Sequence, residues 1–385
     1  MSPLTAGLAA VAAFVVAAIL AASGAPQALV AHLVFAVGVV PLVFAAILHF
    51  VPVLTRTGAP SSTLALLPWA AQAAGGLAVL AFAGWMPRGA LSIAAAIDLL
   101  LAGVLALWIL RRRGAALGGA HPGWRWYLAA LAALMVALAA IAAIELFPEA
   151  FRSLRALHIH LNTLGFLGLA AFGTLPVLLP TAVRRPDPGA RRWLAACLPL
   201  VATGAALVAV GAALSTATIP FDLPLIAAIV GAVLLVSAAL ALLWRWSSAY
   251  GVTAIAGGGA ASSLAAAVAG FVVLLPIGVL HAFPVLAQGA AVAAFGGLFL
   301  LPLVSGALSQ LLPVWRFPGV DTVARQRLAW VLGSWSRLRV ACFLSGGVLF
   351  ALGRADWAIA VVATGLLLLL GVTLVGLNES RAGGR

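Results

Sequence analysis

Apolar residues run for about twenty positions at a time along this chain, and polar residues gather in the short gaps between the runs. Ala, Leu and Val follow one another within a run without the strict alternation of a barrel strand, so each run predicts a helix. Twelve helices are expected, at roughly 5–23, 28–54, 63–85, 90–110, 126–147, 155–182, 193–214, 222–246, 252–277, 285–314, 335–353 and 356–377. Gly257, Gly258 and Gly259 soften the start of the ninth. The first run, Leu8 to Ala22, has the length of a signal sequence but no basic residues before it, so it is read as the first helix. No long linker interrupts the pattern, which predicts a single polytopic membrane domain over 1–385.

Composition agrees with lipid as the solvent. The 385 residues are 65% hydrophobic and 8% charged, against about 25% charged in soluble domains. Inside a bilayer every backbone donor and acceptor must be paired within the protein, which helices achieve. The net charge of +13 comes from 21 arginines and no lysine. They lie mainly in short gaps between apolar runs, as topology signals, and nothing in the chain reads as a nucleic-acid binder. Gaps after even-numbered helices, with the C-terminal tail, hold 17 of the 21. The positive-inside rule then places both termini in the cytoplasm. Cys197 and Cys342 lack metal-site spacing and read as small buried hydrophobes.

An internal repeat links the second, sixth and tenth helices. They end in HFVPVLTR (His49–Arg56), LPVLLPTAVR (Leu175–Arg184) and QLLPVWR (Gln310–Arg316). Aligning Pro52, Pro180 and Pro313 gives spacings of 128 and 133 residues, or four helices. His32 then falls on His160, Pro41 falls on Pro302, and the third copy carries Ala293 in place of histidine. The expected fold is an all-α integral membrane protein of about twelve transmembrane helices in three four-helix arcs, roughly 1–125, 126–250 and 251–385.

Ionisable residues within a membrane are costly and mark function. His32, His158, His160 and His281 all fall toward the outer face in this topology, and neutral imidazole is a ligand for haem iron and copper. His158 and His160 are two residues apart, about 200° around an ideal helix, so a regular helix would not aim both at one ligand. Asp98, the one acid well inside an apolar run, is a candidate for a proton or polar pathway, or a partner for Gln72. Arg152 and Arg155 stand beside the histidines and are candidates to pair with haem propionates, or to form part of an interfacial charge cluster. Gly165, Gly168 and Gly173 would admit either a flat haem or a closely packed helix.

His32 followed twenty residues later by Pro-Val, together with LHIHLNTLGFLGLAAFGTLPVLLPT (Leu157–Thr181) and GALSQLLPVW (Gly306–Trp315), resembles the haem–copper oxidase subunit I superfamily in a short, divergent branch similar to NnrS-type membrane proteins. The resemblance implies twelve helices in three arcs, a bacterial inner-membrane location, b-type haem and copper. It implies a haem ligand at His32 and a copper ligand at His160 or His158. The superfamily pattern also has histidine pairs on the seventh and tenth helices. Trp193–Leu214 and Val285–Val314 contain none, so the oxygen-reducing centre cannot be built and a terminal oxidase is not expected.

The leading expectation is therefore a haem- or copper-binding inner-membrane protein with a role in redox chemistry, metal handling or nitric-oxide stress, held by His32, His160, His158 and, for a metal, His281. Two rivals stand beside it. One is a cofactor-free transporter with His32, Asp98 and His160 along a path for protons or a small solute. The other is a structural membrane subunit that docks a periplasmic electron-transfer or copper protein, its twelve tryptophans anchoring it at the interfaces.

Overall fold

Residues of each apolar run sort by face once the run is helical. On Gly89–Gly114, Ile93, Ile97, Leu100, Val104 and Leu107 point outward at three- and four-residue steps. Ala94, Asp98, Ala102, Leu105 and Ile109 form the opposite, buried stripe. A soluble helix would turn polar side chains outward; an apolar outer stripe needs lipid against it.

This computed structural model describes residues 2–116, 118–216, 222–283, 286 and 288–382. Among them there is no strand. Eleven helices are long and apolar enough to cross a bilayer: α1 (Pro3–Ala22), α2 (Gln27–Thr55), α3 (Leu64–Phe82), α4 (Gly89–Gly114), α5 (Gly123–Ala143), α6 (Pro148–Ala182), α7 (Ala190–Leu214), α8 (Leu223–Tyr250), α9 (Gly259–His281), α10 (Gly289–Arg316) and, last in the chain, Ala355–Glu379. Between α10 and that last helix lie α11 (Val323–Gly333) and α12 (Ser336–Ala351), so Ala355–Glu379 is α13. The chain is an all-α, multi-pass membrane protein.

Two elements depart from the expected twelve. The run expected at 335–353 is α12, whose 16 residues rise about 24 Å, short of a hydrocarbon core of roughly 30 Å. The polar stretch before it, expected as a gap, forms α11, started by Thr322, whose Oγ1 accepts the Arg325 N–H at 3.2 Å. The expected start of the tenth helix, residue 285, lies outside the described residues. The ninth is split near its expected start: Val252–Ala256 is a separate short helix, and α9 begins at Gly259 after Gly258 turns through φ +122, a conformation that favours glycine.

Three helices widen into π-helical turns, at Leu33–Val39 in α2, Leu161–Gly168 in α6 and Gly296–Leu300 in α10. These are the helices that the sequence repeat aligns. Pro41 and Pro302 follow two of the segments. Proline lacks the N–H for an i→i−4 bond and its ring pushes the i−4 carbonyl aside, which favours a wide turn. The third segment, in α6, has Gly165 and Gly168 instead. Neighbouring helices meet these turns through glycine. A Cβ on Gly75 of α3 would overlap the Ala36 carbonyl, and one on Gly270 of α9 would overlap that of Leu298.

The described chain forms two compact units. The first is Met1–Ala6, Ala28–Thr174 and Pro188–Ala238; the second is Gly7–Gln27, Leu175–Asp187 and Ala239–Arg385. In the first, Trp126 stacks on Trp193 at 5.6 Å between ring centroids and donates its Nε1–H to Leu194 O at 2.9 Å, tying α5 to α7. Gly173 of α6 lies against the same Trp126. In the second, the backbones of α10 and α12 meet at Gly297 and Gly347, and Arg245 pairs with Asp187. Trp85, Trp244, Trp330, Trp335 and Trp357 are exposed near helix ends, where indole suits the lipid–water boundary.

Candidate imidazole site

The first unit contains three of the singled-out histidines, and their tautomers follow from their neighbours. His32, in α2, has Nδ1 2.7 Å from the Ala28 carbonyl oxygen. His160, in α6, has Nδ1 2.9 Å from Ala156 O. His158 has Nδ1 3.0 Å from Ala137 O on α5. A carbonyl only accepts, so each Nδ1 carries the proton. A neutral ring then presents its lone pair at Nε2, the arrangement found when histidine ligates a metal and its other nitrogen donates to the backbone.

The rings do not share one orientation. Phe151–His160 is a regular α-helix, which sends His158 and His160 to different sides of α6. His158 turns toward α5. His160 bonds back along its own helix and sits directly before the π segment, as His32 does in α2. His158 lies within Coulombic reach of His32 and of Arg155. The His32 ring packs on Phe82 of α3, centroids 4.3 Å apart and planes tilted by 35°. All three histidines are half-buried. Asn162, one turn beyond His158, donates its amide to His158 O at 2.9 Å and holds that nitrogen 3.5 Å from His158 Nε2.

Arg152 and Arg155 are exposed at the start of α6. Gly165 and Gly173 serve helix packing: a Cβ on Gly165 would come within 2.8 Å of Ala133 Cβ, and Gly173 faces Trp126. His281 belongs to the second unit, where its Nδ1–H is donated to Leu286 O at 3.2 Å. Among the described residues no group of three or more His, Cys, Asp or Glu side chains converges as a metal site.

Asp98 is buried on the inner stripe of α4, and the pair with Gln72 does not form. Asp98 Oδ1 and Gln72 Oε1 are each buried without a hydrogen-bond partner. The feature that the sequence reading missed is the set of carbonyls that orient the histidines. Pro41 was the available signal for the irregular turn beside His32.

No protein-family model matches the chain, and no curated protein matches it.

Proposed function

We propose that this is a bacterial inner-membrane protein that holds b-type haem, or a copper ion, through His32 with His158 or His160, in the manner of the haem–copper oxidase-like proteins it resembles. The observation that carries this reading is the shared tautomer. Imidazoles from α2 and α6, two of them within Coulombic reach, each give Nδ1–H to a carbonyl, which places the ring lone pair at Nε2. This donor set would suit a haem iron or a copper ion held by two protein imidazoles, His32 with one of the two on α6. It does not fit a copper centre with three clustered protein ligands.

The roles of the chain's own groups follow. Ala28, Ala137 and Ala156 hold the rings in the ligating tautomer. Phe82 covers one face of His32 and keeps water from it. Arg155 and Arg152 supply positive charge beside the site for the carboxylates of a porphyrin. A bound group of this kind would supply one-electron exchange or binding of a diatomic gas. With the N-terminus in the cytoplasm the start of α2 lies toward the periplasm, open to an electron-transfer or copper protein there. A visible spectrum of the detergent-purified protein tests the reading. A Soret band is expected for haem; a colourless protein that also lacks copper by elemental analysis would overturn it.

A second reading has its own observation. The unpartnered oxygens of Asp98 and Gln72 on α4 and α3 fit a cofactor-free pathway for protons or a small solute. Acidification of liposomes by colourless protein, lost in Asp98→Asn, would favour it over the first.

A further inference from the structure

The second unit buries a guanidinium for which it provides no carboxylate. Arg339, in the first turn of α12, is fully buried. Of the acids described in that unit, Asp187 pairs with Arg245, Asp321 with Arg325 and Glu379 with Arg327, while Asp356 is exposed at the start of α13. Removing a charge from water is costly unless something opposite offsets it.

Part of the offset comes from α11. Arg339 Nη2 donates to Leu332 O at 2.8 Å and Nη1 to Ser334 O at 3.1 Å, at the negative end of that helix. Nη2 also reaches Ser309 Oγ at 3.3 Å. Those bonds leave Arg339 Nε buried and without a partner. Two more buried donors nearby are in the same state, the hydroxyls of Ser263 in α9 and Ser305 in α10. Ser305 is one turn from Ser309, whose hydroxyl bonds the Ser305 carbonyl at 2.8 Å. Ser263 adjoins Leu264, whose backbone N would stand 2.9 Å from a Cβ on Gly306, the residue after Ser305. Both serines therefore flank a close approach of α9 and α10.

The field around these donors is positive as well. Helices α9 and α12 both begin here, joined by the Gly259 N–H to Ser336 Oγ bond at 2.7 Å, and neither N-cap residue supplies a side-chain cap. Two positive helix ends and a guanidinium outweigh the one negative end of α11.

We propose that Arg339, Ser263 and Ser305 form a binding site for a small monovalent inorganic anion of chloride or bromide size. Each of the three groups offers a hydrogen and none carries negative charge, so the ligand brings the missing charge. It is independent of the histidines in the first unit.

The test is thermal unfolding of the detergent-purified full chain in sodium chloride against sodium gluconate at constant ionic strength. Binding to the folded state alone raises Tm with chloride concentration until the gain settles to a logarithmic rise. Ser263→Ala with Ser305→Ala removes two unpartnered hydroxyls, leaves the guanidinium and its helix contacts in place, and is expected to fold. It should shift the chloride midpoint upward by about tenfold or more, the worth of hydrogen bonds to a charged group. Bromide-soaked crystals should show anomalous signal beside Arg339 Nε. Equal Tm in chloride and gluconate, or an unchanged chloride response in the double variant, would overturn the proposal and leave Arg339 as the cap of α11.

Discussion

His32 and His160 make the same hydrogen bond at positions 128 residues apart. Each donates Nδ1–H to the carbonyl four residues earlier, and each is the last α-helical residue before a π segment. The two helices also stop alike. Arg56 and Arg184 both turn to φ 54, and the next N–H bonds back to Pro52 O or Pro180 O at 3.0 Å. The αL turn satisfies a carbonyl that would otherwise be left over at the helix end. The likeness extends from sequence to hydrogen bonding, at the histidine and at the helix C-terminus.

Ligation through Nε2 sets an expectation for the variants. His32→Ala and His158→Ala should each abolish the Soret band of the purified protein, while Arg152→Ala should leave it in place. His160→Ala decides whether the ring beside the π segment is a ligand. An unchanged spectrum in all three histidine variants would show that the chromophore, if present, is held elsewhere.

Close packing of the π turns makes a stability prediction. Gly75→Ala sets a methyl on the Ala36 carbonyl and should destabilise by about 1–3 kcal/mol, the usual cost of overpacking. Gly76→Ala is the control, since no atom lies within 4 Å of its Cβ position; it should stabilise by up to ~1 kcal/mol through helix propensity. Thermal unfolding in detergent of both variants measures the difference.

The carboxyl of Asp98 contributes nothing to the fold through hydrogen bonding. Asp98→Ala should therefore leave thermal stability unchanged or raise it by about 1–3 kcal/mol, the cost of an unsatisfied buried polar group. A clear loss of stability would mean that the side chain is a structural element of α4 after all.

Outside the membrane spans, His121 should give a pH response. Burial first, and the charge of Arg191 second, hold its imidazole below the ordinary value of 6.5. Its Nδ1 also accepts the Gly123 N–H at 3.3 Å, which a protonated ring cannot do. The unfolded chain therefore binds the proton more readily, and its contribution to stability is present above pH 6.5 and lost as pH falls toward the depressed folded value. Melting curves between pH 7.5 and 5 should fall less steeply in His121→Asn than in the wild type, about the width of one titration.

Helix class and membrane-spanning character were legible because burial in lipid forces long apolar runs, and those runs have one stable backbone form. The limits of α12 and the presence of α11 were not. Arg337 and Arg339 stand close together, yet Arg337 is exposed and Arg339 is fully buried, a difference set by tertiary packing. The candidate site was half legible. The residue types at 32, 158 and 160 were visible; the acceptors Ala28, Ala137 and Ala156 were not, because they act through backbone oxygen that every residue carries.

A π turn holds one residue more than an α turn, so the stretches on either side of Leu33–Val39 are out of phase along α2. Deleting a single residue there and restoring regular winding would rotate the His32 end by ~100° relative to the Pro52 end. The ring would swing off Phe82 while the cap at Arg56 stayed where it is. The extra residue thus works as a splice, letting the imidazole end and the Arg56 end of one helix be aimed separately.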